Sequence, residues 1–150
     1  DLGVVLDGYT AEFSRATVIG EPSKQQADIY TAAYGANRAV IRALRPGVRC
    51  SDMDRLARDT ITRAGFADYQ HRHVTGSGIG VLLQERPIIG DQLSILEDEV
   101  IREGMVLNIE PGVYHPEFGG ARAEDLVLVT ANGAEILSTF AYDPRLVVDR

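Results

Sequence analysis

Hydrophobic residues recur with a period of two along residues 104–110, which read GMVLNIE. Met105, Leu107 and Ile109 fall on one side of this alternation, and Glu110 falls on the other. Such a period predicts a β-strand whose apolar face is buried. The proline that follows has no N–H to donate, so the strand is expected to end there and to leave Glu110 at its tip.

A second strand is predicted at residues 126–129, where the continuous apolar run LVLV is typical of a strand buried on both faces. Gly119-Gly120 indicates a tight turn before it, and Glu124 stands just ahead of the run. Glu110 and Glu124 therefore both lie at ends of buried strands. That position is costly for an acid unless a metal, an arginine or a proton neutralises it.

A hairpin is predicted at the start of the chain, where residues 2–6 and residues 9–19 flank Asp7-Gly8. Both turn residues tolerate positive φ, as a two-residue turn requires. In this register Asp1 and Glu12 are diagonal neighbours on one face, roughly 7–8 Å apart at Cα, which is close enough to share one ion. A solvated hairpin with two surface acids is the alternative.

Two stretches between these strands show helical spacing of apolar residues. The first begins with a capping box at Ser23 and runs to about Leu44. The second begins at an N-cap pair formed by Ser51 and Asp54, and Gly65 is a typical residue for its C-terminal end. Both apolar stripes are assigned to the core.

Composition limits the classes of function. A length of 150 residues with 45% hydrophobic residues fits one globular domain or part of one. The net charge of -7 argues against nucleic acid and anionic membranes as partners, and no apolar run is long enough to span a bilayer. The single Cys50 excludes an internal disulfide, which favours a cytoplasmic location and a packing role for this residue.

The run GMVLNIEPGVY followed by GGARAED resembles the closing signature of the pita-bread metallopeptidases. That family includes methionine aminopeptidase, aminopeptidase P, prolidase and the metal-free creatinase. The resemblance implies an α+β pita-bread fold, with a curved antiparallel sheet and two helices on its outer face. It also implies that residues 1–150 form the C-terminal part of such a domain, whose upstream part is absent from this chain, and that the protein is a homodimer.

The run HRHVTGSGIGVLLQERP is similar to the family's glycine-rich strand pair, but its ligands are altered. His73 matches a substrate-side histidine of the prolidase and aminopeptidase P branch. Ser77 stands where the family has its metal-binding histidine, and Gln84 stands where it has a second active-site histidine. His71 and His115 match no functional position and are expected to be surface residues.

In the family, two Asp, one His and two Glu hold two divalent metals. Carried over by position, the resemblance offers a reduced set: Asp1, Glu12, Ser77, Glu110 and Glu124. Serine does not replace imidazole, so at most one divalent metal is expected, and the protein could also hold none. The family uses manganese, cobalt or zinc, and four carboxylates suit manganese or magnesium better than zinc.

The resemblance also implies roles in a reaction: His73, Glu110 and Glu124 are catalytic, and Ser77, Gln84 and Arg122 bind substrate. Glu110 would take a proton from water. Gln84 can donate a hydrogen bond to a carbonyl oxygen but cannot shuttle a proton. Arg122 could pair with either glutamate and keep it charged without metal.

Three functions are compatible with these residues. The favoured one is a hydrolase of C–N bonds in a small molecule or short peptide, which resembles Xaa-Pro aminopeptidase or prolidase and has a degenerate metal site. The second is a metal-free, creatinase-like amidinohydrolase of a small compound. The third is a non-catalytic pita-bread domain that acts as a binding module.

Overall fold

The computed structural model describes residues 1–90 and 98–146, and all that follows concerns those residues. The helices are α1 (Lys24–Ala43) and α2 (Cys50–Arg63), and a short 3-10 helix spans Ala67–Tyr69. The strands are β1 (Leu2–Leu6), β2 (Tyr9–Phe13), β3 (Gly76–Gly78), β4 (Glu85–Ile89), β5 (Val106–Ile109), β6 (Gly112–His115), β7 (Gly119–Arg122), β8 (Asp125–Thr130) and β9 (Gly133–Ile136).

The main sheet has five strands in the order β4-β3-β5-β8-β9, and each neighbouring pair is antiparallel. Two separate hairpins, β1–β2 and β6–β7, accompany it. The strands predicted from the alternation at residues 104–110 and from the run at residues 126–129 are β5 and β8, which pair directly. This pairing brings the ends of both strands together, with Ile109 opposite Asp125.

The helices form the layer that covers these strands. Helix α1 contacts β5, β6, β7 and β9 as well as α2, and α2 also contacts β4. Ala33, Ala36 and Val40 of α1 are fully buried in the core, as their helical spacing predicted. Burial raises the pKa of Cys50 to about 12, which agrees with its assignment as a packing residue.

The caps of the two helices turned out differently. The capping box of α1 is confirmed, because Gln26 N–H donates to Ser23 Oγ and Ser23 N–H donates to Gln26 Oε1. The predicted N-cap of α2 is wrong. Arg49 occupies that position without a side-chain hydrogen bond, and the Ser51 hydroxyl instead donates to Asp98 at 2.8 Å.

The N-terminal hairpin has the predicted turn. Asp7 and Gly8 have φ of 49° and 85°, and Gly3 pairs with Glu12. The return strand is shorter than expected and ends at Phe13. The chain leaves the ladder there because the next two side chains, Ser14 and Arg15, bind groups at the start of β8.

Strand β3 has a single side chain, that of Ser77, between two glycines. A Cβ at Gly76 would collide with the carbonyl oxygen of Asn108, and a Cβ at Gly78 would lie 2.5 Å from the carbonyl oxygen of Arg86. The close approach of the neighbouring strands therefore requires glycine at both positions.

Among the described residues, no helix is both long enough and apolar enough to cross a membrane.

Candidate active site

Three carboxylates from distant parts of the chain converge at one point. Asp1, Glu12 and Glu124 each place an oxygen so that all three lie within 4.8 Å of one another. The hairpin register brings Asp1 and Glu12 to one face, and contacts between β2 and β8 bring Glu124 to them. The convergence of these three acids follows the placement expected from the sequence.

Glu124 is fully buried and its carboxylate is held from both sides. The Ser14 hydroxyl donates to Oε2, and the Asn108 amide donates to Oε1. Ser77 pairs with Asn108 across β3 and β5, and directly opposed residues of an antiparallel pair point to the same face of a sheet. Ser77, which is buried, therefore shares a sheet face with the side chain that holds Glu124.

A buried ionic cluster behind the site fixes the backbone that carries Glu124. Asp125 accepts hydrogen bonds from Arg15 at 2.7 Å and from Arg38 at 2.6 Å. The Ser138 and Tyr142 hydroxyls donate to the same carboxylate, each at 2.6 Å. No sequence motif indicates this cluster, because its members are scattered along the chain.

Asn37 of α1 holds the two acid-bearing strands together. Its amide nitrogen donates to the carbonyl of Ile109 at 2.9 Å and to the carbonyl of Ala123 at 3.1 Å. These residues directly precede Glu110 and Glu124 in the chain. One buried helical side chain thus fixes both strand ends. In the sequence, the sign of this role is a polar residue within an apolar helical stripe.

Glu110 lies beside the three acids and is paired with Arg122. The Arg122 Nη1 atom is 3.1 Å from Glu110 Oε2 and 2.8 Å from Asp1 Oδ2. Burial, assisted by the negative charge of Glu124, raises the pKa of Glu110 to about 7, although Arg122 opposes the shift. Burial and Glu124 also raise the pKa of Glu12.

His73 joins this group through Tyr114. Its Nδ1 lies 2.8 Å from the carbonyl oxygen of Val74, which can only accept, so Nδ1 carries the proton. Its Nε2 is then free to accept from the Tyr114 hydroxyl at 3.0 Å, while Arg122 Nε donates to the same hydroxyl at 3.3 Å. Burial lowers the pKa of His73, which favours this neutral ring.

Gln84 is exposed and directly precedes β4, and no hydrogen bond in the described part of the chain joins it to the carboxylates. An open cavity of about 430 Å³ lies against the site, with Asp1, Ser14, Tyr114 and Arg122 in its wall. Of the predicted substrate-binding residues, Arg122 lines this cavity.

The expectation that His71 is a surface residue is wrong. Its side chain is 1% exposed and both of its ring nitrogens have polar neighbours. His115 is half-buried and packs against the rings of Tyr69 and Phe118. Local sequence does not report this difference, because each ring has a partner that is distant in the chain.

The donor set fits one hard divalent cation. Oxygen ligands at about 2.0–2.6 Å from a common ion lie within about 5 Å of one another, and Asp1, Glu12 and Glu124 meet that limit. A second ion fits poorly, because Ser77 offers no imidazole nitrogen and the Arg122 guanidinium is already bound to Glu110 and Asp1.

Comparison with known proteins identifies the family. The model of metallopeptidase family M24 matches residues 1–131. The chain belongs to metallopeptidase family M24. This M24 chain is 38% identical over 138 residues to an Xaa-Pro dipeptidase from Pyrococcus furiosus and 42% identical over 143 residues to the putative dipeptidase YkvY from Bacillus subtilis. These matches cover 92% and 95% of the chain, but only 38% of each relative.

Solved structures of the family have the same fold. The prolidase from Pyrococcus furiosus superposes with a TM-score of 0.87 at 37% identity, covering 94% of this chain and 40% of that one. The methionine aminopeptidase from Rickettsia prowazekii gives a TM-score of 0.76 at 22% identity, with 89% of this chain and 60% of that chain covered. At this identity the match supports the fold alone. The predicted α+β pita-bread fold is confirmed, and the chain spans about two fifths of the prolidase.

Proposed function

We propose that the full-length protein hydrolyses the C–N bond of an Xaa-Pro dipeptide or a similar short peptide, and that residues 1–150 form the C-terminal part of its pita-bread catalytic domain. One observation carries the proposal: Asp1, Glu12 and Glu124 converge beside Glu110 in a chain of family M24. The relatives named as Xaa-Pro dipeptidases support the choice of substrate.

The residues have distinct tasks in this reaction. Glu110, with its pKa near 7, can take a proton from the water that attacks the carbonyl carbon. His73 has an unprotonated Nε2, so it would first take up the proton that Glu110 removes from water and would then give that proton to the leaving nitrogen. Arg122 lines the cavity and offers positive charge to a substrate oxygen.

Asp1, Glu12 and Glu124 would hold a single divalent cation, and manganese suits an all-oxygen set. When bound, such a cation supplies Lewis-acid polarisation of a carbonyl oxygen. Without a cation, Arg122 supplies the positive charge at the site, because it is paired with both Asp1 and Glu110. These two ion pairs favour the second candidate, a metal-free amidinohydrolase of the creatinase type.

We also propose a cytoplasmic location, based on the single cysteine, and a homodimer, based on the family. The net charge of -7 supports a small-molecule or peptide substrate over nucleic acid or an anionic membrane.

The test is a substrate panel of Xaa-Pro dipeptides, other dipeptides and amidino compounds, assayed on the full-length protein with and without chelator. We expect turnover of Xaa-Pro dipeptides, and a loss of about 100-fold or more in kcat for Glu110→Gln and for His73→Ala. Glu103→Gln, which changes an exposed acid outside the site, is the matched control and should leave kcat unchanged.

Other outcomes separate the alternatives. Full activity in Glu110→Gln would rule out the role given to that residue. Turnover of amidino compounds alone, unaffected by chelator, would establish the second candidate. Saturable binding without any turnover, weakened by Glu110→Gln, would identify a binding module.

A further inference from the structure

A buried chain of hydrogen bonds, which we call the Asp54 relay, joins α2 to the turn that follows Glu110. Arg58 Nε donates to Asp54 Oδ2 at 2.8 Å, and the Thr75 hydroxyl donates to Asp54 Oδ1 at 2.5 Å. His71 Nε2 lies 2.9 Å from the same hydroxyl oxygen. The side chains of Asp54, Thr75 and His71 are buried, so each polar group depends on the next for a partner.

The relay fixes the tautomer of His71. A carboxylate paired with a guanidinium can only accept, so the Thr75 proton points to Asp54 and the Thr75 oxygen must accept from His71. The ring proton of His71 is therefore on Nε2. Burial and the positive charge of Arg58 lower the pKa of His71 to about 4, which agrees with a neutral ring at pH 7.

The Nδ1 atom of His71 faces both backbone groups of Gly112, with the carbonyl oxygen at 3.2 Å and the amide nitrogen at 3.3 Å. Because Nε2 carries the ring proton, Nδ1 is unprotonated and accepts from the Gly112 N–H. Two further hydrogen bonds reach the same turn. The His71 N–H donates to the Gly112 carbonyl at 2.9 Å, and the Glu110 N–H donates to the Thr75 carbonyl at 2.8 Å. The segment from His71 to Thr75 thus binds the backbone on both sides of Pro111.

We propose that His71 is a positioning residue of this site: held as the Nε2–H tautomer by the Asp54 relay, it fixes the turn that aims Glu110 and the strand that carries Tyr114. The effect on turnover rests on the proposed function, whereas the tautomer does not. His71 touches neither the three clustered acids nor the cavity wall among the described residues, so it acts through Gly112 and not on substrate.

The relay predicts opposite tautomers for two adjacent rings. His71 and His73 have ring centroids 5.0 Å apart, yet His71 is protonated at Nε2 and His73 at Nδ1. In free imidazole side chains the two neutral tautomers interconvert. A single tautomer on each ring, opposite in His71 and His73, would therefore show that each ring is held by its own hydrogen-bond partners.

The first measurement is nitrogen-detected NMR of the histidine rings in full-length protein labelled with ¹⁵N-histidine at pH 7. We expect the His71 ring, assigned by the loss of its signals in His71→Phe, to be protonated at Nε2. We expect the His73 ring, assigned by the loss of its signals in His73→Ala, to be protonated at Nδ1. Thr75→Val, which removes only the hydroxyl, should release the His71 tautomer. A His71 ring protonated at Nδ1, or on both nitrogens, would overturn the proposal.

The second measurement is kinetic and uses Xaa-Pro dipeptide. His71→Phe keeps the size of a buried ring and removes both ring hydrogen bonds, so it should lower kcat by about 10- to 100-fold with KM little changed. His71→Asn keeps an oxygen near the Nδ1 position and should recover part of that loss. His115→Phe makes the same change in the other histidine outside the site and should have no effect.

The two measurements separate failure of this proposal from failure of the proposed function. If the unaltered protein turns over dipeptide, full kcat in a folded His71→Phe variant overturns the positioning role. If the unaltered protein has no turnover, the proposed function fails, and the His73 ring signals in His71→Phe decide instead. Altered His73 signals support the positioning role, and unchanged signals overturn it.

Discussion

The fold disfavours the ionised form of the Glu110 side chain. The ordinary pKa of the side chain is 4.5, and burial beside Glu124 raises it to about 7 in the folded chain. Between these values the folded state binds a proton that the unfolded state has lost. We therefore expect the free energy of unfolding of the chelator-treated protein to fall as pH rises from about 4.5 to about 7.

The measurement is the thermal midpoint of the full-length protein across that pH range, compared with Glu110→Gln. The variant does not titrate at this position, so its midpoint should fall less steeply with pH. Parallel curves for the two proteins would show that Glu110 keeps an ordinary pKa.

Among the metal-ligand positions that the resemblance implies, Ser77 stands in place of a histidine and Glu12 in place of an aspartate. Serine provides no nitrogen ligand, so Ser77→His combined with Glu12→Asp should raise the affinity for manganese, cobalt or zinc by about tenfold or more. Isothermal titration of the full-length protein measures this change, with Glu12→Asp alone as the control. Two tightly bound ions per chain in the unaltered protein would contradict this description of the site.

The positions of individual residues could be predicted from the sequence where the pairing of adjacent strands determines them. A two-residue turn fixes the register of β1 and β2, and with it the neighbourhood of Asp1 and Glu12. Prediction failed for His71, because a histidine in a loop has no pattern that reports burial. Its ring contacts the nearby Thr75, but its other partners, Arg58 of α2 and Gly112 of β6, are distant in sequence.

Helix α1 affects the site through one side chain. Asn37→Leu would leave the carbonyls of Ile109 and Ala123 without their side-chain donor, so we expect it to lower the free energy of unfolding by about 1–3 kcal/mol. It should also weaken manganese binding, because both acid-bearing strand ends lose a common restraint. Urea unfolding and metal titration of the full-length protein measure the two effects.

Gln25→Leu is the control for this variant, since it makes the same kind of change at an exposed position of the same helix. If Asn37→Leu matches that control in both stability and metal affinity, the amide has no role in holding the strands.

Whole elements were easier to predict than their ends. The capping box of α1 and the strands β5 and β8 follow from local signals that act within a few residues. The end of β2 and the start of α2 do not, because long-range contacts set them. Ser14 leaves the strand to bind Glu124, and Ser51 binds Asp98 across 47 positions.

The molecule as a whole exposes an apolar face at its N-terminal hairpin. Leu6 and Val5 are 75% and 70% exposed, and the segment 81–83 beside the hairpin is apolar and exposed as well. Contiguous apolar surface of this kind favours association. We expect residues 1–150 expressed alone to self-associate in sedimentation experiments, and Val5→Lys with Leu82→Lys to reduce it. A monomer at every concentration tested would contradict this.

The glycines on either side of Ser77 confine variation on β3 to a single position. Neighbouring backbone atoms exclude a side chain at Gly76 and at Gly78. We therefore expect a substitution at either position to disrupt folding, so it cannot supply a new ligand to the site. Position 77 already carries a Cβ, so a change there does not create the backbone collision that a side chain at either glycine would create. A single substitution at this position can therefore remove or restore a ligand on this strand during evolution of the family. A library randomised at position 77 would sample all the ligand types that the strand can present.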